Sequence, residues 1–370
     1  MQLIWSAYRT FIKKRLFRRC SRCILNERCV AIDPQSGLCE LCSQEVQPVS
    51  VSYDSEAMQR AMGTRIRAAI DAHPNAQFHG LLLFSGGKDS CYMLMRLQQE
   101  FPDLRILCLS VDNTFMSPVA IDNINSIVKK LGLAHMWVRP PAGMMDQIFR
   151  KALSDTEAKM GIVDFIDGEL MSDIGRTTAK RFGIPLVFMG LSPEQVVNIL
   201  GVDSFEMPVD EQTAQPRTEV GGIQLADLCD ASWGQWWWPG AGPNEAVPAL
   251  LFPLYAWRVG EQEIIQAVAQ AGVVRMKKLS PLVTNHQLII PMAIVDYVRH
   301  GYFTYEPEFA EMIRTGRACR GDWIGIFEFV EFAAKTGKLL GPSFDRVLRR
   351  LGLRREDLGI PGRMAAASSR

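Results

Sequence analysis

A six-residue turn, SGGKDS at residues 85–90, directly follows the apolar run at 81–84. Its two glycines leave main-chain N–H groups open to an anion, because no side chain stands in front of them. A helix that begins after the turn directs the positive end of its dipole to the same place. The lysine adds a charge, and the two serines add hydroxyl donors. The candidate phosphate-binding residues are Ser85, Gly86, Gly87, Lys88, Asp89 and Ser90, and the last three are also the candidate catalytic residues.

Two CxxC pairs lie upstream of this turn, Cys20 with Cys23 and Cys39 with Cys42, with fifteen residues between the pairs. Four thiolates at this spacing suit a tetrahedral zinc ion, and an iron–sulfur cluster is the competing metal. Four protein ligands leave no open position for a substrate. The pattern therefore predicts a structural rather than a catalytic zinc site.

The elements that must position the turn alternate between short apolar runs and amphipathic stretches. The predicted strands are 80–84, 105–111, 134–139 and 185–190, and the predicted helices are 89–100, 117–131 and 170–182. Strands separated by helices indicate an α/β fold, a doubly wound parallel sheet with helices on both faces. Ligands of such sheets bind at the carboxyl ends of the strands. Ser110, Val111, Asp112 and Gly190 are therefore further candidates for nucleotide binding, and Glu194 is a weaker one.

The composition divides the chain into segments. We expect a basic amphipathic helix at 1–19, a four-cysteine knuckle at 20–45, the nucleotide domain at 55–200, an irregular insertion or connection at 201–258, and a mostly helical substrate or oligomerisation domain at 259–370. The basic helix suits an anionic membrane surface, RNA, or a place on its own domain with a solvated face.

The bulk composition excludes some classes of protein. The 370 residues contain 41 Lys and Arg against 40 Asp and Glu, so no overall charge indicates an acidic partner. No apolar stretch is long enough to predict a transmembrane helix. Nine cysteines without a secretory leader favour a reducing, cytoplasmic location.

The turn SGGKDS resembles the pyrophosphate loop of the N-type ATP pyrophosphatases, the PP-loop or adenine nucleotide alpha-hydrolase-like superfamily. The resemblance implies that ATP is cleaved between its α- and β-phosphates, with Mg²⁺ bridging the phosphates. AMP would pass to a carbonyl oxygen of the substrate, and a nucleophile would then displace it. The end of the second strand borders the adenosine in this superfamily, which supports Ser110, Val111 and Asp112 as nucleoside contacts.

The knuckle and the turn together, over residues 20–192, resemble the N-acetyl sugar amidotransferases. This resemblance implies a small-molecule acceptor such as a sugar, and ammonia supplied by a separate glutaminase, because no GxCxG elbow is present in the chain. We also expect a homo-oligomer. The main interpretation is therefore AMP-forming activation of a carbonyl followed by amidotransfer.

Two other functions stay open. An ATP-dependent sulfur transferase acting on tRNA or a small molecule would use the same loop, although Cys91 and Cys108 are typical of core positions. A nucleotide sensor would bind ATP without releasing pyrophosphate.

Several other polar groups could face a substrate. Asp164, Asp167 and Glu169 either bind Mg²⁺, orient the acceptor or start a helix, and Trp233 and Trp236–Trp238 either stack on a ligand or pack an insertion. A second set predicts a substrate-facing surface: Thr284, Asn285, His286, Glu306, Glu308, Arg314, Arg317 and Arg320.

Overall fold

The computed structural model describes residues 9, 12–44, 55–209, 211–242, 245–272 and 286–361. These residues form two compact units. The first combines described residues of 1–51, 146–163 and 288–370, and the second combines those of 52–145 and 164–287. Most of the predicted basic helix at 1–19 lies outside the described residues, as do Thr284 and Asn285.

The strands are β1 Gly80–Leu83, β2 Ile106–Val111, β3 His135–Val138, β4 Leu186–Phe188, β5 Glu219–Val220, β6 Ile223–Gln224 and β7 Ala249–Leu251. Five of them form a parallel sheet at the centre of the second unit, in the order β3-β2-β1-β4-β7. The other two, β5 and β6, form a short antiparallel hairpin outside this sheet.

Strands β1, β4 and β7 are buried along their whole length, which explains their unbroken apolar sequences. Parallel strands need such sequences because helices cover both faces of the sheet. The strand order reverses at β1, since β2 and β3 extend the sheet on one side and β4 and β7 on the other. The α/β doubly wound fold predicted from the sequence is confirmed.

Strand β7 lies inside the segment 201–258, where we expected only irregular structure. Its three residues are too few to show a periodicity, and Pro248 and Pro253 flank the apolar run. The strand forms because Leu186, Val187 and Phe188 present an unpaired edge to it. A short run of this kind is defined by the neighbouring strand and not by its own sequence.

Helices connect the strands and make up the C-terminal region. The α-helices are Glu40–Ser43, Ser55–Ala72, Lys88–Glu100, Pro118–Leu131, Ala142–Ser154, Ile162–Phe182, Pro193–Leu200, Glu211–Ala214, Leu225–Leu228, Pro253–Trp257, Glu261–Gln270, Ile289–His300, Glu306–Arg314, Arg320–Thr336 and Pro342–Arg350. Short 3-10 helices span Lys13–Arg15, Ala231–Trp236 and Glu356–Leu358. None of the helices in the described ranges is both long and apolar enough to cross a membrane.

Two helices differ from the prediction. Ala142–Ser154 was not predicted, and Ile162–Phe182 begins well before residue 170. The early start places Asp164 in the first turn of that helix and Asp167 in its interior. Asp167 is buried, so a solvated helix start does not explain it.

Candidate functional site

The turn after β1 has the geometry of an anion site. The helix Lys88–Glu100 begins directly after Gly87, whose φ and ψ are −76° and 167°, and no capping side chain bonds to the first turn. The N-terminal N–H groups of a helix carry partial positive charge when no cap takes them up. The turn therefore presents donors to a ligand at the end of a buried strand.

The two glycines of the turn serve different purposes. Gly86 is buried with a φ of +68°, and a Cβ atom there would overlap Cγ1 of Ile124 and lie 3.2 Å from the Ile124 nitrogen. Gly87 has ordinary extended angles, and a Cβ atom there would meet only Ser85 Oγ, at 3.3 Å. The left-handed residue of the turn is therefore Gly86, and the backbone angles of Gly87 do not require a glycine.

The two serines flank the turn. Ser85 Oγ lies 3.2 Å from Ser90 Oγ and accepts a hydrogen bond from the Gly87 N–H at 3.3 Å. Ser90 is buried and its hydroxyl donates to the Gly87 carbonyl, while Ser85 is exposed. These bonds join the two ends of the turn to each other and to Gly87, and the exposed side of the turn stays accessible to a ligand.

Lys88 lies between two carboxylates. Its Nζ is 2.9 and 2.8 Å from the two Asp89 oxygens and 3.8 Å from Glu261 Oε1. Glu261 was not among the predicted site residues, because it lies far along the chain at the start of the helix Glu261–Gln270. The sequence carries no signal that would place it beside the turn.

Gly190, which follows β4, lies beside the turn. A Cβ atom built on Gly190 would lie 3.6 Å from the nitrogen of Ser90, so the main chains approach closely. The turn after β1 and the residues after β4 flank the point where the strand order reverses, which is where ligands of doubly wound sheets bind. Glu194 is buried in the first turn of the helix Pro193–Leu200.

The end of β2 is more enclosed than expected. The Ser110 hydroxyl donates to the Phe84 carbonyl at 2.6 Å and lies 2.9 Å from His135 Nε2. Asp112 accepts from the Thr114 N–H at 2.8 Å and pairs with Arg139 at 2.7 Å, and Val111 is buried. The side chains of Ser110 and Asp112 thus bond to other groups of the protein. The main chain of this segment is what stays available for the predicted nucleoside contacts.

A buried polar cluster follows directly on Asp112. Asn113 donates to Asp167 Oδ1 at 2.9 Å, and His286 Nε2 lies 3.2 Å from Asp164 Oδ1. Burial raises the pKa of Asp167. Burial alone would lower the pKa of His286, but the hydrogen bond that it donates to Asp164 and the charges of both aspartates raise it. Asp164, Asp167 and His286 were each selected from the sequence, but nothing in it indicated that they lie together, and it did not indicate Asn113.

Glu169 belongs to a second network of ion pairs, which is partly buried. Arg217 binds Glu169 at 2.6 Å and Asp173 at 2.5 and 2.8 Å. Asp173 also accepts from the Trp238 N–H at 2.9 Å. Trp237 and Trp238 are buried, so these two rings pack the segment and do not face a ligand.

The four knuckle cysteines come together in the first unit. Their sulfur atoms all lie within 4.8 Å of one another, Cys23 and Cys39 are 3.7 Å apart, and all four residues are buried. This spacing fits one tetrahedral ion with metal–sulfur bonds of about 2.3 Å. In a [4Fe–4S] cluster each thiolate binds a different iron, so the sulfur atoms stand further apart.

The main chain around the knuckle favours the thiolate form of Cys20. Burial alone would raise the pKa of Cys20, but N–H groups of Cys23, Cys39 and Arg22 lower it to about 7. Burial raises the pKa of Cys42 to about 11. A bound cation would stabilise all four thiolate forms, which is the usual condition for a structural metal site.

Two arginines tie the knuckle to the C-terminal helices of the same unit. Arg320 donates to the carbonyls of Cys23 and Cys20 at 2.6 and 3.0 Å. Arg19 pairs with Glu306 at 2.8 Å and Glu331 at 2.7 Å. The prediction that Glu306 faces a substrate is wrong, because it is fully buried in this network. Arg320 likewise supports the knuckle.

The cysteines next to the turn are ordinary core residues. Cys91 and Cys108 are buried, and burial raises the pKa of each thiol to about 12. A thiol with so high a pKa is a poor nucleophile at neutral pH.

Comparisons with known proteins give a partial picture, and no family model matches the chain. An uncharacterized protein of Methanocaldococcus jannaschii is 43% identical over 53 residues, which are 14% of this chain and 19% of that protein. The chain thus spans about a fifth of that relative. The U34-tRNA thiolase NcsA from Methanococcus maripaludis, solved with its [4Fe-4S] cluster, is 12% identical with a TM-score of 0.29, over 71% of this chain and 80% of that one. A TM-score this low carries no structural argument.

Proposed function

We propose that the chain is an N-type ATP pyrophosphatase of the PP-loop superfamily, which activates a substrate oxygen by transfer of AMP. The observation that carries this proposal is the SGGKDS turn at the reversal point of a doubly wound parallel sheet. The uncapped start of the helix Lys88–Glu100 suits the leaving pyrophosphate, and the kinase phosphate loop has a different sequence.

The residues of the turn divide the work. Lys88 would stabilise the charge that develops on the pyrophosphate, and the Ser90 hydroxyl would turn from the Gly87 carbonyl to donate to it. Asp89, whose carboxylate is partly exposed, is an oxygen ligand suited to Mg²⁺. Gly190 would let the main chain after β4 approach the nucleotide. Bound Mg²⁺ supplies charge neutralisation for the phosphates.

The reaction proceeds in two displacements. A carbonyl oxygen of the acceptor attacks the α-phosphorus of ATP, and pyrophosphate leaves with the electron pair of the broken P–O bond. A nucleophile then attacks the activated carbon, and AMP leaves with the oxygen of the acceptor. The nucleophile loses its proton to a base or to water.

The donor in the second displacement has two candidates. The sequence resemblance of the knuckle favours ammonia, a sugar-like acceptor and a separate glutaminase. Sulfur transfer to tRNA or a small molecule, which would use the same loop, stands beside amidotransfer. The raised pKa values of Cys91 and Cys108 disfavour these two as sulfur carriers and point to a sulfide donor in that case.

For the knuckle we propose a single structural zinc ion held by Cys20, Cys23, Cys39 and Cys42. The support is the close spacing of the four sulfur atoms and their burial. Four ligands complete the coordination of zinc, so the ion would stabilise its segment without joining the reaction.

Product analysis tests the proposed function. The protein is incubated with Mg²⁺ and ATP labelled at the γ position, with N-acetylated sugar nucleotides plus ammonium or with unfractionated tRNA plus sulfide. We expect AMP and labelled pyrophosphate in equal amounts, from one of the two mixtures only. ADP with orthophosphate would refute the mechanism. Binding of ATP without any turnover in either mixture would support a sensor instead.

A further inference from the structure

Glu261 is a buried carboxylate at the edge of the phosphate-binding turn. It is the first residue of the helix Glu261–Gln270 and is only 8% exposed. Its Oε1 lies 3.8 Å from the ammonium of Lys88. A carboxylate this enclosed needs positive charge nearby, and the turn provides it.

The ammonium of Lys88 is shared. Both Asp89 oxygens lie within 2.9 Å of it on one side, and Glu261 approaches from another element. The Lys88 side chain is 17% exposed, so solvent screens these interactions only in part. One positive charge therefore faces two negative charges at the place where a polyphosphate would add more.

We propose that Glu261 is a positioning residue that holds Lys88 and competes with the polyphosphate for its ammonium. This inference rests on the proposed function. It follows that the turn binds a polyphosphate without metal weakly. The Lys88 ammonium must move away from a carboxylate to bind the anion, and the anion must come close to the negative charges of Asp89 and Glu261. A divalent cation that accompanies the polyphosphate offsets this negative charge.

Calorimetric titration with inorganic pyrophosphate tests the proposal, once with a chelator and once with Mg²⁺. Glu261→Gln is compared with the wild type and with Glu263→Gln. Glu263 is a matched control, since it lies in the same helical turn but is exposed and bonds to the Tyr92 hydroxyl at 3.2 Å. Circular dichroism and thermal melting report whether each variant is folded.

We expect Glu261→Gln to bind metal-free pyrophosphate about tenfold more tightly than the wild type, because the Lys88 ammonium then has one carboxylate fewer to leave when it binds the anion. With Mg²⁺ the difference should shrink to about twofold or less, since the cation already offsets that charge. Glu263→Gln should match the wild type in both conditions. A purely structural role of Glu261 would lower the affinity in both conditions alike and would overturn the proposal.

A double-mutant cycle shows whether Glu261 acts through Lys88. In a Lys88→Ala background, Glu261→Gln should change the metal-free affinity by less than about threefold, because the shared ammonium is gone. A full tenfold effect there would contradict a role through Lys88. Glu261→Asp, which withdraws the carboxylate by one methylene, should give an intermediate affinity and replaces the glutamine variant if that does not fold.

The phosphate-binding turn and the role of Glu261 can be refuted separately. A wild-type protein that binds no pyrophosphate with or without Mg²⁺ would refute the phosphate-binding turn itself. A wild type that binds pyrophosphate, together with a Glu261→Gln variant indistinguishable from it, would overturn only the role of Glu261.

Discussion

The two glycines of the turn allow a sharp test, because the structure gives them different reasons to be glycine. Gly86 needs a left-handed φ of +68° and has no room for a side chain against Ile124. Gly87 has angles that any residue adopts, with Ser85 Oγ at 3.3 Å as the nearest obstacle. We therefore expect Gly86 to be required by the fold and Gly87 by the ligand.

The cost of Gly86→Ala follows from two terms. A left-handed φ costs an L-residue about 1–2 kcal/mol. Overpacking against a buried side chain costs about 1–3 kcal/mol. We expect the free energy of opening around the turn to fall by about 2–5 kcal/mol from these terms together. Gly87→Ala should change it by less than about 0.5 kcal/mol, as at a position without strain.

Amide hydrogen exchange over residues 80–100 measures this opening directly. A loss of about 2–5 kcal/mol predicts exchange faster by about 30- to 4,000-fold in Gly86→Ala. Gly87→Ala should keep the slow exchange of the wild type. Titration should show that this variant binds pyrophosphate about tenfold more weakly, because its methyl group enters the anion space at a cost of about 1–3 kcal/mol.

Two results would refute this reasoning. Slow exchange in Gly86→Ala, equal to the wild type, would show that neither the positive φ nor the contact with Ile124 requires a glycine. Equal destabilisation by Gly87→Ala would show that the turn is not built as described. In an Ile124→Ala background the cost of Gly86→Ala should fall by the overpacking term, about 1–3 kcal/mol, and leave the cost of φ.

Three further predictions concern the knuckle and the buried histidine. Cys39→Ser should reduce the metal content from one zinc per chain and speed exchange in residues 12–44 while pyrophosphate binding persists; iron with acid-labile sulfide in the wild type would contradict the zinc assignment. Arg320→Ala leaves the carbonyls of Cys20 and Cys23 without two donors, which should cost the knuckle about 1–3 kcal/mol and speed loss of metal to a chelator. An unchanged rate of loss would exclude that role. Because the pKa of His286 is raised in the folded protein, its contribution to stability is complete below pH 6.5, the ordinary pKa of histidine. That contribution is lost as the pH rises through the pKa of the folded state. His286→Gln should therefore flatten the fall in melting temperature above that pH, and parallel profiles for both proteins from about pH 5 to about pH 9 would refute the shift.

The sequence by itself determined the local features of this protein. Residues 80–100 read as strand, turn and helix, and the structure has β1, the turn and the helix Lys88–Glu100 there. The CxxC pairs indicated a four-cysteine site, and the four cysteines meet as expected. These features depend on neighbours within a few residues, so spacing and residue type are enough to predict them.

The pairing of distant residues was decided only by the tertiary structure. Asn113 and Asp167 are 54 residues apart, His286 and Asp164 are 122 apart, and Glu306 is buried because Arg19 reaches it. No periodicity within a segment encodes such partners.

Strand β7 and the place of Glu261 depend on the tertiary structure in the same way. β7 forms against an edge that β4 provides, and Glu261 reaches Lys88 from a helix far along the chain. The physical reason is that the burial and the charge state of a side chain depend on the groups packed around it. Those groups come from every part of the chain, whereas a turn or a CxxC pair carries its own determinants.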